Sequence, residues 1–343
     1  MPQENNFNLS IIIPSFNEDK YHKKLFSQLI KYFNYKNIEI ILIDDGSKDQ
    51  SDKIINDFKK NNNFIFHFKT IKHDKNYGKG RAIQTGIKHC NGEYILLQDA
   101  DLELDLIDSL ELYEMIQNNK DIKCIFGSRY LSGKLKRNNY FLNNLIGKIN
   151  SLIFNIFFSQ SLSDIHCGLK IMHKDIVRKI DLTVNDFGIE IDIASQIVRN
   201  NFFIYEVGVS YYFRTKQQGK KITWLDGLKS FYYLFKARFL DNSISTNLSI
   251  IFSASYMTYF GFYFSTILEN YLIIIILLML GLIIGIKFKI ITSSIILLSL
   301  FIGSLLGSSY EKIFSITIFF IIGIFCAKYV KKNLSGVTFS RFV

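Results

Sequence analysis

A chain of 343 residues has the length of about two domains and can bury a real core, which excludes a small disulfide-stapled scaffold. Two prolines and 20 glycines exclude collagen-like or proline-rich low complexity, and 48% hydrophobic against 21% charged residues excludes wholesale disorder. A formal charge of +11 could point to nucleic acid, but no helix–turn–helix, RNP or zinc pattern accompanies it, so no nucleic-acid partner is expected.

Taken in chain order, short apolar runs at 9–13 (LSIII), 38–43 (IEIILI), 64–68 (FIFHF) and 94–97 (YILL) read as strands. Polar helical stretches at 19–35, 49–62 and 79–90 separate them, and the pattern continues with 123–127 (KCIFG), a helix over 141–158 and a strand over 204–209. Strands alternating with helices predict βαβ units and a mostly parallel, Rossmann-like α/β sheet. Continuous rather than alternating apolar runs predict strands covered by helices on both faces. The run Leu9–Pro14 is too short for a signal peptide, so none is expected. Cys90, Cys124, Cys167 and Cys326 are widely spaced without a C-x-x-C, which predicts a reduced compartment and neither zinc nor disulfide framework.

Over 223–241, Leu225, Leu228, Tyr232, Phe235 and Phe239 recur at helical spacing, with Lys229, Lys236 and Arg238 elsewhere on the helix. This predicts an amphipathic helix lying in a membrane interface, with an ordinary core-packed helix as the alternative. From Asn247 to Ala327 the only charged residues are Glu269, Lys287, Lys289, Glu311 and Lys312. The four apolar runs between them, about 248–268, 271–286, 290–308 and 313–327, predict four spanning helices. Lys287, Lys289, Lys331 and Lys332 fall on one side and Glu269 and Glu311 on the other, which puts the N-terminal part in the cytoplasm. The expected organisation is an α/β domain over 1–221, a juxtamembrane helix over 222–245, four membrane helices over 246–332 and a cytoplasmic tail over 333–343. Such a chain would sit in the cytoplasmic (inner) membrane as a multi-pass protein against membrane lipid, with its membrane helices open to homo-oligomerisation.

Ligands of an open parallel sheet bind where its strands end. After the first strand stands Pro14-Ser15-Phe16-Asn17-Glu18, after the second Asp44-Asp45-Gly46-Ser47, and after the fourth Gln98-Asp99-Ala100-Asp101-Leu102-Glu103. Asp99 and Asp101 can share one hard cation with substrate phosphates, or simply cap the next helix. No glycine-rich turn follows the first strand, which counts against a dinucleotide oxidoreductase. Lys79 and Arg81 with Gly78 and Gly80 suit a phosphate at a helix start, or form a plain turn. Arg214, Lys220 and Lys221 precede the juxtamembrane helix, at the depth of lipid headgroups. Glu190 and Asp192 lie in an otherwise apolar stretch, as paired structural acids or as sugar-hydroxyl ligands. His166 and His173 lack metal spacing and read as packing or surface residues.

The ordered set IIIPSFNE, IDDGS, NYGKGRAIQTG, QDADLE, GSRY and DIHCGLK, spread over about residues 8–240, resembles family 2 glycosyltransferases of the GT-A fold. Within that family it is most similar to the dolichyl- or polyprenyl-phosphate hexose synthases, the dolichol-phosphate mannosyltransferase-like group. The resemblance implies inverting transfer of a hexose from a UDP- or GDP-sugar to polyprenyl or dolichyl phosphate. Pro14, Asn17, Glu18, Asp44, Asp45, Lys79, Asp99, Glu190 and Asp192 would then bind the nucleotide sugar, and Asp164 would face the sugar. Asp99, Asp101 and Glu103 would hold Mg²⁺ or Mn²⁺, and Arg129, Arg137, Arg214, Lys220 and Lys221 would bind the acceptor phosphate. Asp101, Asp164, Arg129, Arg214 and Lys221 would form the catalytic set. Two departures stand out: Glu103 occupies a place where many relatives have Gln, and LSGKLKRNNY, which holds Arg137, lacks a familiar arginine pair. Alternatives are a family 2 transferase with another lipid or glycan acceptor, and a non-enzymatic transport or scaffold component for lipid-linked sugars. Retention of both the acidic pair and the basic cluster favours the enzyme.

Overall fold

The computed structural model describes residues 7–61, 64–131, 133–137, 140–220 and 224–241, with a few isolated positions beyond. The chain divides into two compact units, 1–237 and 238–343, and the described residues belong almost wholly to the first. That unit contains β1 (Leu9–Ser15), α1 (Asp19–Phe33), β2 (Ile38–Asp44), α2 (Ser51–Asn61), β3 (His67–Lys72), α3 (Lys79–His89), β4 (Tyr94–Leu97) and α4 (Leu106–Asn118). There follow β5 (Cys124–Ser128), β6 (Lys136–Arg137), α5 (Phe141–Phe158), β7 (Lys170–His173), α6 (Lys174–Val177), α7 (Ile189–Arg199), β8 (Tyr205–Gly208), β9 (Tyr211–Tyr212) and α8 (Trp224–Phe235).

Seven strands form a sheet in the order β3-β2-β1-β4-β7-β5-β8. All neighbours run parallel except β7, which is antiparallel to both β4 and β5. The apolar runs are continuous because both faces are covered. Successive side chains of a strand point to opposite faces. Ile11, Ile13, Ile40 and Leu42 therefore join Leu25, Leu29 and Phe33 of α1 in one core. Ile12, Ile41 and Ile43 join Ala82 and Ile83 of α3 in the other.

Two strands of the seven-stranded sheet differ from the sequence expectation. The run 64–68 was expected as a strand, but β3 begins at His67, because the phenylalanines there pack on one another. Phe64 stacks on Phe66 and Phe58 at 4.6 and 4.8 Å, and Phe58 on Phe26 at 4.1 Å. The strand proper lies at the sheet edge, half exposed, and so carries no apolar run. β7 was not expected at all. Its four residues include Lys170 and His173, yet all are buried, since the strand is inserted between two others by long-range pairing. Its antiparallel direction has a consequence for the site: Lys170 pairs with Leu97, so residues 164–168 arrive beside the acidic loop that follows β4.

α8 packs with the α/β unit rather than apart from it, burying Leu234 and exposing Tyr232 and Phe235. α5 buries Asn150, Ser151, Phe154 and Phe158 and exposes Phe141, Leu142, Leu152 and Ile156. Among the described residues no helix is long and apolar enough to cross a membrane. Apart from isolated positions, the four apolar runs expected to span a membrane lie outside the described residues.

Gly86 is where α3 meets the sheet. A Cβ there would overlap Ile12 Cγ2 and stand 3.0 Å from Ile43 Cδ1, both buried. Alanine favours a helix over glycine by about 1 kcal/mol, but overpacking a core costs about 1–3 kcal/mol. Gly86→Ala is therefore expected to lower the urea midpoint of unfolding, and an unchanged or raised midpoint would show that α3 can slide off the sheet.

Candidate active site

The ends of β1, β2 and β4 open into a cavity of about 430 Å³, walled also by α5, α8 and residues 211–220. Pro14 and Glu18 after β1, Asp45 after β2, and Asp99, Asp101 and Glu103 after β4 all line it. So do Lys79, Arg129, Glu190, Arg214 and Lys220. The structure thus brings most of the sequence-selected residues to one chamber, and their pairings assign them different tasks.

Asp45 is saturated. Its carboxylate takes His73 Nδ1 at 2.6 Å and the backbone N–H groups of Tyr77 and Gly78 at 3.0 and 2.8 Å, so it shapes the loop leading to α3. The Arg81 N–H is likewise spent on the Asn185 carbonyl. Asn17, in a left-handed conformation (φ 50°), accepts from the Lys48 N–H at 2.8 Å and ties the β1 and β2 loops together. Asp44 accepts from the Ser47 N–H, while its Oδ2 is buried without a partner.

A buried chain of alternating charges runs from the core to the acidic loop. Lys170, fully buried, pairs with Glu190 and donates to the Cys167 carbonyl. Glu190 pairs with Lys79 at 2.8 Å, and Lys79 with Asp99 at 2.7 Å. Burial would raise the Glu190 carboxyl, but Lys170 and Lys79 hold it down at about 2. Burial pushes Asp99 above the usual carboxylate range, with Lys79 opposing and Asp101 and Glu190 adding to it.

Arg129, also in the lining, grips Asp164. Nε and Nη2 donate to the two carboxylate oxygens at 2.7 and 2.8 Å, and the Arg129 N–H adds a third bond at 3.0 Å. Asp164 was expected to face the sugar. It is instead fully buried and lies outside the cavity lining, held ionised by Arg129 against the cost of burial. Its task is to aim Arg129, whose Nη1 makes no hydrogen bond among the described residues. Asp192 also lies outside the lining, where it accepts from the Thr183 and Val184 N–H groups and from Gln196.

Arg214 is bound by three carboxylates: Glu18 at 2.8 Å, Asp101 at 2.8 Å and Glu103 at 3.4 Å. Lys220 pairs with Glu103 at 2.5 Å. Arg137, outside the lining, reaches Gln218 at 3.3 Å, and Lys221 lies outside the described residues. The structure adds residues that sequence reasoning missed. His166 lines the cavity, with Asn150 Nδ2 at 3.1 Å from its Nε2. Burial lowers the ring to about 4, so it stays neutral. Asn143, Gly147 and Asn150 line the chamber from α5. Their spacing of four and three puts them on one face of the helix, which was the signal available in the sequence.

The donor set around Asp99 and Asp101 suits a hard cation. Their side chains keep 25% and 21% exposure, facing the chamber. Among the described residues no three His, Cys, Asp or Glu side chains converge closely enough to hold a metal ion. The protein would thus supply two carboxylates and leave the remaining positions to phosphate oxygens, which is how Mg²⁺ commonly binds.

Gly168 presses against this pair. A Cβ on it would overlap the Asp99 carboxylate, with Cγ at 2.8 Å, and come within 3.1 Å of Lys79 Nζ. Gly168→Ala is expected to weaken Mn²⁺ binding by about tenfold or more, the cost of a 1.4 kcal/mol misplacement, while thermal stability barely changes. Equal Mn²⁺ affinity by calorimetry would show that Asp99 need not stay where it is.

Residues 10–181 match the family model described as glycosyl transferase family 2. A dolichyl-phosphate beta-glucosyltransferase of Trichomonas vaginalis is 28% identical over 184 residues, 50% of this chain and 55% of that one. One from Dictyostelium discoideum is 26% identical over 230 residues, covering 63% and 69%. The dolichol-phosphate mannosyltransferase of Pyrococcus furiosus is 28% identical over 228 residues, covering 66% and 61%. The chain thus spans roughly half to two thirds of the length of these relatives. Among solved structures, glucosyl-3-phosphoglycerate synthase from Mycobacterium tuberculosis, in complex with Mn²⁺, UDP and glucosyl-3-phosphoglycerate, superposes with a TM-score of 0.54. At 12% identity over 69% of this chain and 82% of that one, the likeness is one of fold. With strand-end acids, chamber and matched residues in agreement, the chain belongs to glycosyltransferase family 2.

Proposed function

We propose that this family 2 enzyme transfers a hexose from a nucleotide diphosphate sugar to a polyprenyl phosphate, inverting the anomeric centre. The observation that carries the reading is the charge content of one chamber, whose lining brings the Asp99–Asp101 pair together with Lys79, Arg129, Arg214 and Lys220, Arg214 lying 2.8 Å from Asp101. The similarity to dolichyl-phosphate transferases supports the acceptor class.

Asp99 and Asp101 would hold Mg²⁺ or Mn²⁺, which as a Lewis acid stabilises the departing nucleoside diphosphate. Lys79, 2.7 Å from Asp99, stands beside that diphosphate and adds positive charge where negative charge develops. Of Glu18, Asn17 and Asp44, Glu18 lines the chamber and would meet ribose or base, while Asn17 and Asp44 lie outside the lining and shape the strand-end loops. The neutral Asn150–His166 pair offers hydrogen bonds to uncharged hydroxyls. Arg129 presents its free Nη1, and Arg214 and Lys220 add charge for the acceptor phosphate. That phosphate is already anionic at neutral pH, so no strong general base is needed and the residues act by holding and aligning two charged reactants.

A lipid acceptor needs a lipid-facing chamber. α5 supports this, because it turns Asn143, Gly147 and Asn150 inward while Phe141, Leu142, Leu152 and Ile156 are exposed. With the four apolar runs of 248–327, the proposal is a multi-pass membrane enzyme whose α/β unit faces the cytoplasm.

Purified full-length protein incubated with labelled UDP-glucose, GDP-mannose or UDP-N-acetylglucosamine plus polyprenyl phosphate is expected to make one label lipid-extractable. Label that appears only in a water-soluble glycan would replace the acceptor assignment, and no transfer from any donor would sink it. In intact cells a cysteine introduced at Asn270 should react with an impermeant reagent and one at Phe288 should not, while the opposite result would reverse the topology.

A further inference from the structure

Of the carboxylates that follow β4, Glu103 accepts the most hydrogen bonds. Its Oε1 takes the Arg214 N–H at 3.1 Å, Arg214 Nε at 3.4 Å and Lys220 Nζ at 2.8 Å. Its Oε2 takes the Tyr211 hydroxyl at 3.1 Å and Lys220 Nζ at 2.5 Å. A carboxylate has about four lone-pair sites, and these contacts fill them. The backbone joins in, with the Tyr212 N–H donating to the Glu103 carbonyl at 2.8 Å.

All of these donors belong to one segment. Tyr211, Tyr212 and Arg214 are where the strap 211–220 begins, and Lys220 is where it ends. Glu103 therefore closes the strap as a staple closes a loop. Within it, the Gln218 and Lys220 N–H groups donate to the Thr215 carbonyl, and Gly219 turns the chain at φ 90°. Tyr21 of α1 holds the tip through the Gln218 carbonyl at 2.9 Å.

The acidic loop is bent to serve this contact. Leu102 sits in the left-handed region at φ 57°, costly for a residue with a branched side chain, so tertiary contacts hold it there. The Glu103 N–H donates to the Asp101 carboxylate at 3.0 Å, and among the described residues no three His, Cys, Asp or Glu side chains converge to hold a metal ion.

We propose that Glu103 is a positioning residue, which staples both ends of the 211–220 strap and so presents Arg214 and Lys220 to the chamber, rather than a ligand of the divalent cation. The part of this that concerns the acceptor rests on the polyprenyl-phosphate reading above. The staple itself does not. Glutamine at this position could offer one oxygen, and its amide would turn N–H groups toward the Lys220 ammonium and Tyr211 hydroxyl. Glu103 and Lys220 thus work as a matched pair, and the carboxylate is the chemically required partner.

The test uses full-length enzyme and two variants, Glu103→Gln and Lys220→Met, the second cutting the same staple without touching the acidic loop. Mn²⁺ binding in the presence of UDP is measured by the loss of the free-ion paramagnetic signal, strap release by the rate of tryptic cleavage after Lys216, and acceptor and donor KM separately. In both variants Mn²⁺ affinity should stay within about threefold of wild type, while cleavage after Lys216 rises about tenfold, as expected when a local structure loses about 1.4 kcal/mol. Acceptor KM should rise with donor KM nearly unchanged. A tenfold loss of Mn²⁺ affinity in Glu103→Gln with cleavage after Lys216 unchanged would overturn the proposal and make Glu103 a cation ligand. If Glu103→Gln does not fold, unchanged cleavage in Lys220→Met would overturn it equally. Should wild type transfer no sugar to lipid, the acceptor reading falls, but the Mn²⁺ and cleavage measurements still decide the staple.

Discussion

Carboxylates crowded at one end of a sheet repel each other and lose their water, so they stay ionised only where cations from elsewhere in the chain reach them. Here Glu18, Asp99, Asp101, Glu103, Asp164 and Glu190 come from four segments, and Lys79, Arg129, Lys170, Arg214 and Lys220 also from four. Breaking such a buried pair from one side costs about 3–5 kcal/mol. The pairing is therefore what joins the strand-end loops, the segment before β7 and the 211–220 strap into one chamber.

The same pairing prepares the chamber for charged ligands. Asp99 and Asp101 are each held by a cation, Lys79 and Arg214 respectively. In the proposed reaction a divalent cation would take over the two acids and leave Lys79 and Arg214 for phosphate oxygens. One set of ion pairs is exchanged for another, so buried charge is never left alone. Arg129 is different: its bidentate grip on a fully buried Asp164 fixes the guanidinium as part of the wall.

Much of the architecture was legible because it is written in local pattern. The isoleucine-rich β1 and β2, the helices between them and the acids at their ends follow from apolar runs and from where ligands bind in such sheets. α5 was legible to the residue. β7 was not, because a four-residue strand containing a lysine and a histidine acquires its identity only by pairing with β4 and β5. β3 was displaced from its expected place because five phenylalanines, Phe26, Phe58, Phe64, Phe66 and Phe68, pack together there.

For the site, sequence alone determined which residue types stand at the strand ends: the acids after β2 and β4, the lysine at the start of α3 and the arginine after β5. Their division of labour was decided only in three dimensions. Asp164 was expected to face the sugar and Asp192 to be a sugar ligand or a structural acid, and in the fold one aims an arginine and the other ties a loop. His166 had no neighbour in sequence to mark it, and it reached the chamber through the reversed direction of β7. Arg214 lies more than a hundred residues from Asp101 and Glu103 and nearly two hundred from Glu18, and still pairs with all three. The physical reason is that a side chain's chemical type is a local property, whereas its partner, and therefore its role, is set by which distant segments the sheet brings within about 3 Å.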